Sequence, residues 1–279
     1  MSIDEEDFEY EIIDIEDEVK PRDRKVDDAK AVLLEQFFQP GTLEVYYGRQ
    51  LEIWMERDFF HWITKKALNE LAKEGHIQFN IEQLDHHKAH FYTPRRHRYN
   101  RRQINEVIGL IAQFSQPQFT RALGHHGELL AQAGFARAGF RILQQRVRTV
   151  DGKAWTKTNH DLDFLIERDG IRYGVEIKNQ LGYIDQTEFQ IKRAMCMHFG
   201  VRPFFMCRTM PANYFHDVNR EGGYCFLTQN QNYPLLADDL AKLVRDRLKL
   251  PVQVTQVLPD TALKRFEAWH ERQAGKKGG

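Results

Sequence analysis

His160-Asp161-Leu162-Asp163-Phe164-Leu165-Ile166-Glu167-Arg168-Asp169-Gly170-Ile171-Arg172-Tyr173-Gly174-Val175-Glu176-Ile177-Lys178 is the stretch that decides how the larger part of this chain folds. Two apolar runs flank Asp169-Gly170, a dipeptide that accepts the positive φ angles of a tight hairpin turn. The spacing predicts strands over 161–167 and 171–178. Side chains alternate along a strand, so Glu176 and Lys178 face one way while Val175 and Ile177 face the other. By the same period Asp161, Asp163 and Leu165 share one face, and Leu162, Phe164 and Ile166 the other. Pairing through the turn brings Asp163 beside Glu176, so that two carboxylates and an ammonium group converge on one point of an otherwise apolar sheet.

Adjacent buried carboxylates repel, and they take up a proton unless a cation sits between them. Magnesium or manganese answers that need. Such ions take hard oxygen ligands, often one or two protein carboxylates, and fill the remaining positions with water and phosphate oxygens. The simpler account of Glu-x-Lys on a strand is a solvated charge pair; Asp163 in register with it is what argues for chemistry.

Outward from this hairpin, the pattern alternates. A helix is expected at about 119–134, a strand at about 138–148, a helix at about 186–199, strands at 202–207 and near 223–227, and a helix near 236–249. That order predicts a central mixed sheet flanked by helices, an α/β fold. Upstream, three helices are expected over 25–38, 44–56 and 58–74, followed by short strands at 76–81 and 89–92. Ser115-Gln116-Pro117 breaks a further helix over 99–114. The expected organisation is an acidic leader (1–24), a first domain (25–98), a helical linker (99–117), a second domain (118–250) and a C-terminal extension (251–279), its last five residues loose.

Composition bounds the function. The 279 residues are 42% hydrophobic and 12% aromatic, ample for a core. No apolar run approaches the roughly 18 residues that span a bilayer, and the first residues are acidic where a signal peptide would be basic and then apolar. Cys196, Cys207 and Cys225 lack the paired spacing of a zinc site and suit a reducing compartment. A cytoplasmic protein is the expectation, nucleoid-associated in a prokaryote. The net charge of zero hides an asymmetry: residues 1–18 hold ten acids and no Lys or Arg, so the remainder carries 40 basic against 30 acidic residues. The leader reads as a solvated tail or, more pointedly, as a DNA mimic competing for a basic surface.

That basic surface is densest between His86 and Arg102. Lys88, Arg95, Arg96, Arg98, Arg101 and Arg102 occur there with no acid, interleaved with Phe91, Tyr92, Tyr99 and several histidines. Lys and Arg release counterions from phosphate backbones, and aromatics stack on unpaired bases. The plain alternative is a solvated linker. His86, His87 and His90 have no cysteine partners or ligand spacing for zinc, and His125-His126 read as exposed helix-terminal residues.

Two resemblances sharpen these expectations. Ile63-Thr64-x-x-Ala67-Leu68-x-x-Leu71-x-x-Glu74-Gly75-x-Ile77, after two helices and before a hairpin, resembles the last helix and wing entry of winged-helix domains, over about 26–93. Asp163, twelve residues, then Glu176-Ile177-Lys178 resembles the signature of the PD-(D/E)xK nuclease superfamily over about 119–228. Gly127-Glu128-Leu129-Leu130 followed by Ala138-Gly139-Phe140-Arg141-Ile142 is similar to the upstream element of Holliday-junction resolvases in that superfamily. The resemblance implies a restriction endonuclease-like core behind an N-terminal winged helix.

It also implies roles. Asp163 and Glu176 would bind Mg²⁺ or Mn²⁺ with help from the Ile177 carbonyl, Glu128 would be an accessory ligand, and Lys178 the catalytic lysine. Gln190 would contact the phosphate, with Arg193 three residues on and on the same helix face. Leu162 departs from the small residue or proline that often precedes the first acid, and Asp161 competes with Asp163. The implied activity is endonucleolytic cleavage of double-stranded or branched DNA, by a homodimer in analogy with the superfamily. The rivals are a DNA-binding regulator that keeps the fold for dimerisation, and an RNA-directed nuclease.

Overall fold

The computed structural model describes residues 23–84 and 88–275. The acidic leader up to residue 22, His86, His87 and the tail beyond residue 275 lie outside the described residues. The chain divides into two compact units, one within Met1–Gln113 joined by Leu248–Leu250, the other within Phe114–Arg247 and Pro251–Gly279.

The first unit runs α1 (Arg24–Gln36), β1 (Tyr46–Tyr47), α2 (Gly48–Trp54), α3 (His61–Lys73), β2 (Ile77–Gln83), β3 (Lys88–Pro94) and α4 (Arg101–Phe114), whose last residue falls at the boundary. Asp23 starts α1 by accepting the Lys25 N–H. The three helices pack Leu33, Leu51, Ala67, Leu68 and Leu71 into one core with Ile77 and Tyr92 from the strands. The helix expected over 44–56 is shorter, because Tyr46 and Tyr47 pair instead with Tyr92 and Phe91 of β3. A three-stranded antiparallel sheet results, in the order β1-β3-β2.

The second unit runs α5 (Pro117–Arg137), β4 (Arg141–Val147), β5 (Thr149–Val150), β6 (Lys153–Ala154), β7 (Leu162–Arg168), β8 (Ile171–Lys178), α6 (Gln186–Phe199), β9 (Arg202–Cys207), α7 (Ala212–Arg220), β10 (Tyr224–Leu227), β11 (Gln231–Tyr233), α8 (Asp238–Leu248), β12 (Val252–Val254) and α9 (Asp260–Gly275). A five-stranded mixed sheet, β10-β9-β8-β7-β4, forms its centre. The β7–β8 hairpin turns at Asp169 (φ 53°) and Gly170 (φ 67°), both in the left-handed region that such turns require. Strands β8, β9 and β10 run parallel, with α6 and α7 as crossovers.

Each sheet face has its own helices. Phe164, Ile166, Val175, Ile177, Phe204 and Met206 meet Leu130, Ala131 and Phe135 of α5 and Leu263 and Phe266 of α9. On the other face, Leu165 packs with Met195, Cys196 and Phe199 of α6, and Phe205 with Phe189 of α6 and Tyr214 of α7. Residues 251–275 therefore do not trail away from the unit. They carry a strand and a helix whose Phe266, fully buried, stacks on Phe140 at 4.7 Å.

Candidate active site

The site lies where β7 and β8 part, under α6. The β7–β8 ladder ends at Phe164 opposite Val175, one step short of pairing Asp163 with Glu176. At that point the Ile177 N–H donates to Asp163 Oδ2 at 2.6 Å, so a carboxylate takes the place of a backbone acceptor. The strict alternation expected for β7 breaks here too. Leu162, expected beside Phe164 and Ile166, packs instead with Leu165 and Cys196 on the α6 face.

Glu176 is 2% exposed. Lys178 Nζ lies 3.1 Å from Glu176 Oε1, and Lys192 Nζ lies 2.6 Å from Oε2. The second contact is an ion pair rather than a well-directed hydrogen bond, since Oε2 has no acceptor geometry satisfied. Lys178 also donates to Glu188 Oε1 at 2.7 Å, which links Glu188, Lys178, Glu176 and Lys192 into a chain of alternating charge. Lys192 is 4% exposed and also donates to the Asp161 carbonyl.

Burial sets the electrostatics. It pushes the Asp163 carboxyl up to about 8, and the nearby Glu176 charge pushes the same way against the pull of Lys192, Lys178 and the Ile177 N–H. Glu176 is also raised, by burial, with both lysines opposing. For Lys178 burial works against the charge, but Glu176 and Glu188 outweigh it and hold the ammonium above its ordinary range. Two buried carboxyls whose ionisation is opposed thus stand beside a lysine that stays charged, and the donors they offer are hard oxygens.

That donor chemistry fits Mg²⁺ or Mn²⁺ better than zinc, which favours nitrogen and sulfur. The fit extends to two side chains. Among the described residues, no group of three or more His, Cys, Asp or Glu side chains gathers closely enough to hold an ion. Glu128 is not drawn into the pair: α5 covers the opposite sheet face, and the neighbour Glu128 shows is His125, at 3.7 Å. What α5 does bring to the site is Gly127, where a Cβ would come 2.7 Å from Asn179 Cβ, so the helix closes on the end of β8 only with glycine there.

Asn179, next to Lys178, is the residue the sequence concealed. Its amide nitrogen donates to the carbonyls of Leu123 (2.8 Å) and Asn232 (2.7 Å), and its Oδ1 accepts the Asn232 N–H at 2.7 Å. The end of β8 is thus tied to α5 and β11. Gln231 Nε2 adds a bond to the Asn179 carbonyl at 3.1 Å.

Helix α6 presents Glu188 to Lys178 and, one turn on, Lys192 to Glu176. Its fixed limits, an Asp185 side chain capping the Glu188 N–H at 3.0 Å and a left-handed Gly200, hold that face in place. Gln190 and Arg193 lie on another face. Gln190 is exposed and accepts from Arg193 Nη1 at 2.9 Å. The Arg193 guanidinium is occupied by Glu221 and by Asp217 at 2.9 Å, both of α7 or its C-cap, which leaves it no free edge for a phosphate.

In the first unit, Lys88, Arg95, Arg96 and Arg98 are exposed, as is nearly all of Tyr99. Arg101 is paired with Glu82 and Arg102 with Glu106. Asn100 donates to the His97 carbonyl at 3.2 Å and to Thr93 Oγ1 at 3.3 Å, shaping the turn that displays these arginines. His97 is buried against Gln103. His125 and His126 lie within α5 rather than at its end, and His126 is bonded to the Thr255 carbonyl at 2.9 Å.

No family model matches the chain, and no curated protein or solved structure is significantly similar to it.

Proposed function

We propose that this chain is a metal-dependent phosphodiester hydrolase of the PD-(D/E)xK type, acting on DNA. The observation that carries the reading is the convergence of Asp163, Glu176 and Lys178 where two central strands part, with Asp163 pushed up to about 8 by burial beside Glu176. A helix followed by an antiparallel β4-β7-β8 meander, a crossover helix and a parallel strand is the order expected of that superfamily's core. The helix, strand, helix, helix, hairpin order of the first unit supports the winged-helix reading in the same way.

A bound Mg²⁺ or Mn²⁺ would supply an activated water and neutralise charge growing on the phosphate. The residues of the chain do the rest. Asp163 and Glu176 would hold the ion, with the Ile177 carbonyl offering a third oxygen. Lys178, kept protonated by Glu176 and Glu188, orients the attacking water and faces the negative charge of the transition state.

The rival, a DNA-binding regulator with an inert nuclease fold, is favoured by one observation: both oxygens of Glu176 already face lysines. Incubation with plasmid, single-stranded, flap and four-way-junction DNA, with Mg²⁺ or EDTA, separates the two, and an RNA panel tests the remaining alternative. Cleavage is expected only with the ion, and only with Glu176 and Lys178 intact. Absence of cleavage on every substrate in Mg²⁺ and Mn²⁺ leaves the regulator standing.

A further inference from the structure

Beside Asp163, on the neighbouring edge strand, the second unit carries a basic rim of its own. Between Ala138 and His160 the chain has Arg141, Arg146, Arg148, Lys153 and Lys157 but a single acid, Asp151. Asp151 pairs with Arg172 at 2.7 Å, and Arg141 with Glu167 at 2.9 Å. Arg146, Arg148, Lys153 and Lys157 are exposed. They are displayed by a compact element: Val147, Val150 and Trp155 turn inward onto Leu162, Leu165 and Met195, while the basic side chains turn outward. Thr149 pairs with Ala154, the Trp155 N–H donates to the Arg148 carbonyl at 2.8 Å, and Trp155 Nε1 donates to Thr158 Oγ1 at 2.9 Å.

Arg146 is placed with more precision than the rest. In the β4–β7 ladder Gln145 faces Phe164 and Val147 faces Leu162, so Arg146 stands across from Asp163. Its φ is +50°, in the left-handed region that a residue with a Cβ seldom adopts. The same left-handed value recurs at Asp151, Asp169, Gln229 and Lys249, so it is the place of Arg146 across from Asp163, and not its φ, that singles it out.

We infer that Arg146, Arg148, Lys153 and Lys157 form a phosphate-binding rim that leads the backbone of a DNA substrate into the Asp163–Glu176 site. The inference rests on the nucleic-acid reading above and names a second contact surface for it, on the unit that carries the carboxylates. Nothing in it depends on a bound ion.

The test is binding of a fluorescein-labelled 20-base-pair duplex to the full chain in EDTA, followed by fluorescence anisotropy at several salt concentrations. Each phosphate contact contributes about 0.9 to the slope of log affinity against log salt. Replacing the four residues with Gln should flatten that slope by about 3.6 and weaken binding at least tenfold at moderate salt. Arg146→Gly removes the cation and also the strained φ, so it should melt no lower than the native protein while its salt slope falls by about 1. Native-like affinity and slope in the fourfold variant, or in Arg146→Gly, overturn the inference. Cleavage is scored separately in Mg²⁺: a chain that never cleaves but loses EDTA-phase binding in these variants sinks the nuclease reading and leaves the rim, and the opposite result does the reverse.

Discussion

Glu176 is a carboxylate nearly sealed from water with an ammonium group on each oxygen, and Asp163 is its unneutralised neighbour. The free energy stored there has a definite pH dependence. Without an ion, Asp163 has a folded-state pKa near 8 against 3.8 as its ordinary value. A raised carboxyl favours the folded state while both states are compared below the ordinary pKa, and that contribution is lost as pH rises through the folded one. The EDTA-treated protein should therefore lose stability steadily between about pH 4 and pH 8. Asp163→Asn, which cannot ionise, should escape the loss and melt at least about 2–4 °C above the native protein at pH 8, yet cleave nothing. A thermal series in EDTA at pH 5, 6.5 and 8 reads this directly, and parallel curves for the two proteins would remove the buried carboxyl from the argument. Lys192 invites a second test at this scale. Lys192→Met leaves Glu176 with one counter-charge in a buried place, a loss on the order of 3–5 kcal/mol for breaking a buried pair. Chemical denaturation should show that loss in metal-free protein, and Mn²⁺ should recover part of it.

At the level of helices and strands, the hairpin was legible because Asp169-Gly170 dictates the turn and the apolar period dictates the faces. Where it departs from that period, at Leu162, the cause is a side chain: Asp163 captures the Ile177 N–H and frees the strand from its ladder. The placement of α6 residues was less legible. Gln190 and Arg193 do share a helix face, but spacing along a helix says nothing about which face meets the sheet. That is decided by Phe189, Met195 and Cys196, whose burial turns Glu188 toward Lys178 and Lys192 toward Glu176. Arg193→Ala should accordingly behave as a structural variant. It leaves Glu221 without its partner and Asp217 with Arg220 alone, at a cost of about 1–3 kcal/mol, and leaves DNA affinity unchanged; a weakened DNA complex with an unaltered melting temperature would return Arg193 to the binding surface. Helix α9 escaped notice because residues 260–275 are rich in charge and carry few apolar positions. Two of them, Leu263 and Phe266, help close the face opposite the site, and Phe266→Ala should cost about 3–5 kcal/mol. Asn179 was invisible for a different reason, since an asparagine after a strand reads as a turn until its three partners are seen.

For the molecule as a whole, the charge pattern of the chain separates into pieces with different tasks. The 40 basic and 40 acidic residues cancel only in total. In the first unit Arg101 and Arg102 are spent on Glu82 and Glu106, whereas Lys88, Arg95, Arg96 and Arg98 stand exposed around a turn pinned by Asn100. Exposed pairs of the first kind contribute little to stability, typically below about 1 kcal/mol, and can exchange partners when a polyanion arrives. If the stretch binds DNA through phosphates, its contributions should rank by that pairing. Arg95→Gln, Arg96→Gln and Arg98→Gln together should lower the salt slope of duplex binding by about 2–3. Arg101→Gln with Arg102→Gln should lower it by less than about 0.5 per residue, because each arginine must first give up a carboxylate. Neither set should change the Mn²⁺ affinity measured by calorimetry, since Asp163 and Glu176 belong to the second unit. Equal slope changes per residue in both sets would mean that the ion pairs with Glu82 and Glu106 do not compete with phosphate. An unchanged slope for all five would leave 88–102 a solvated connection and shift the burden of binding to the second unit.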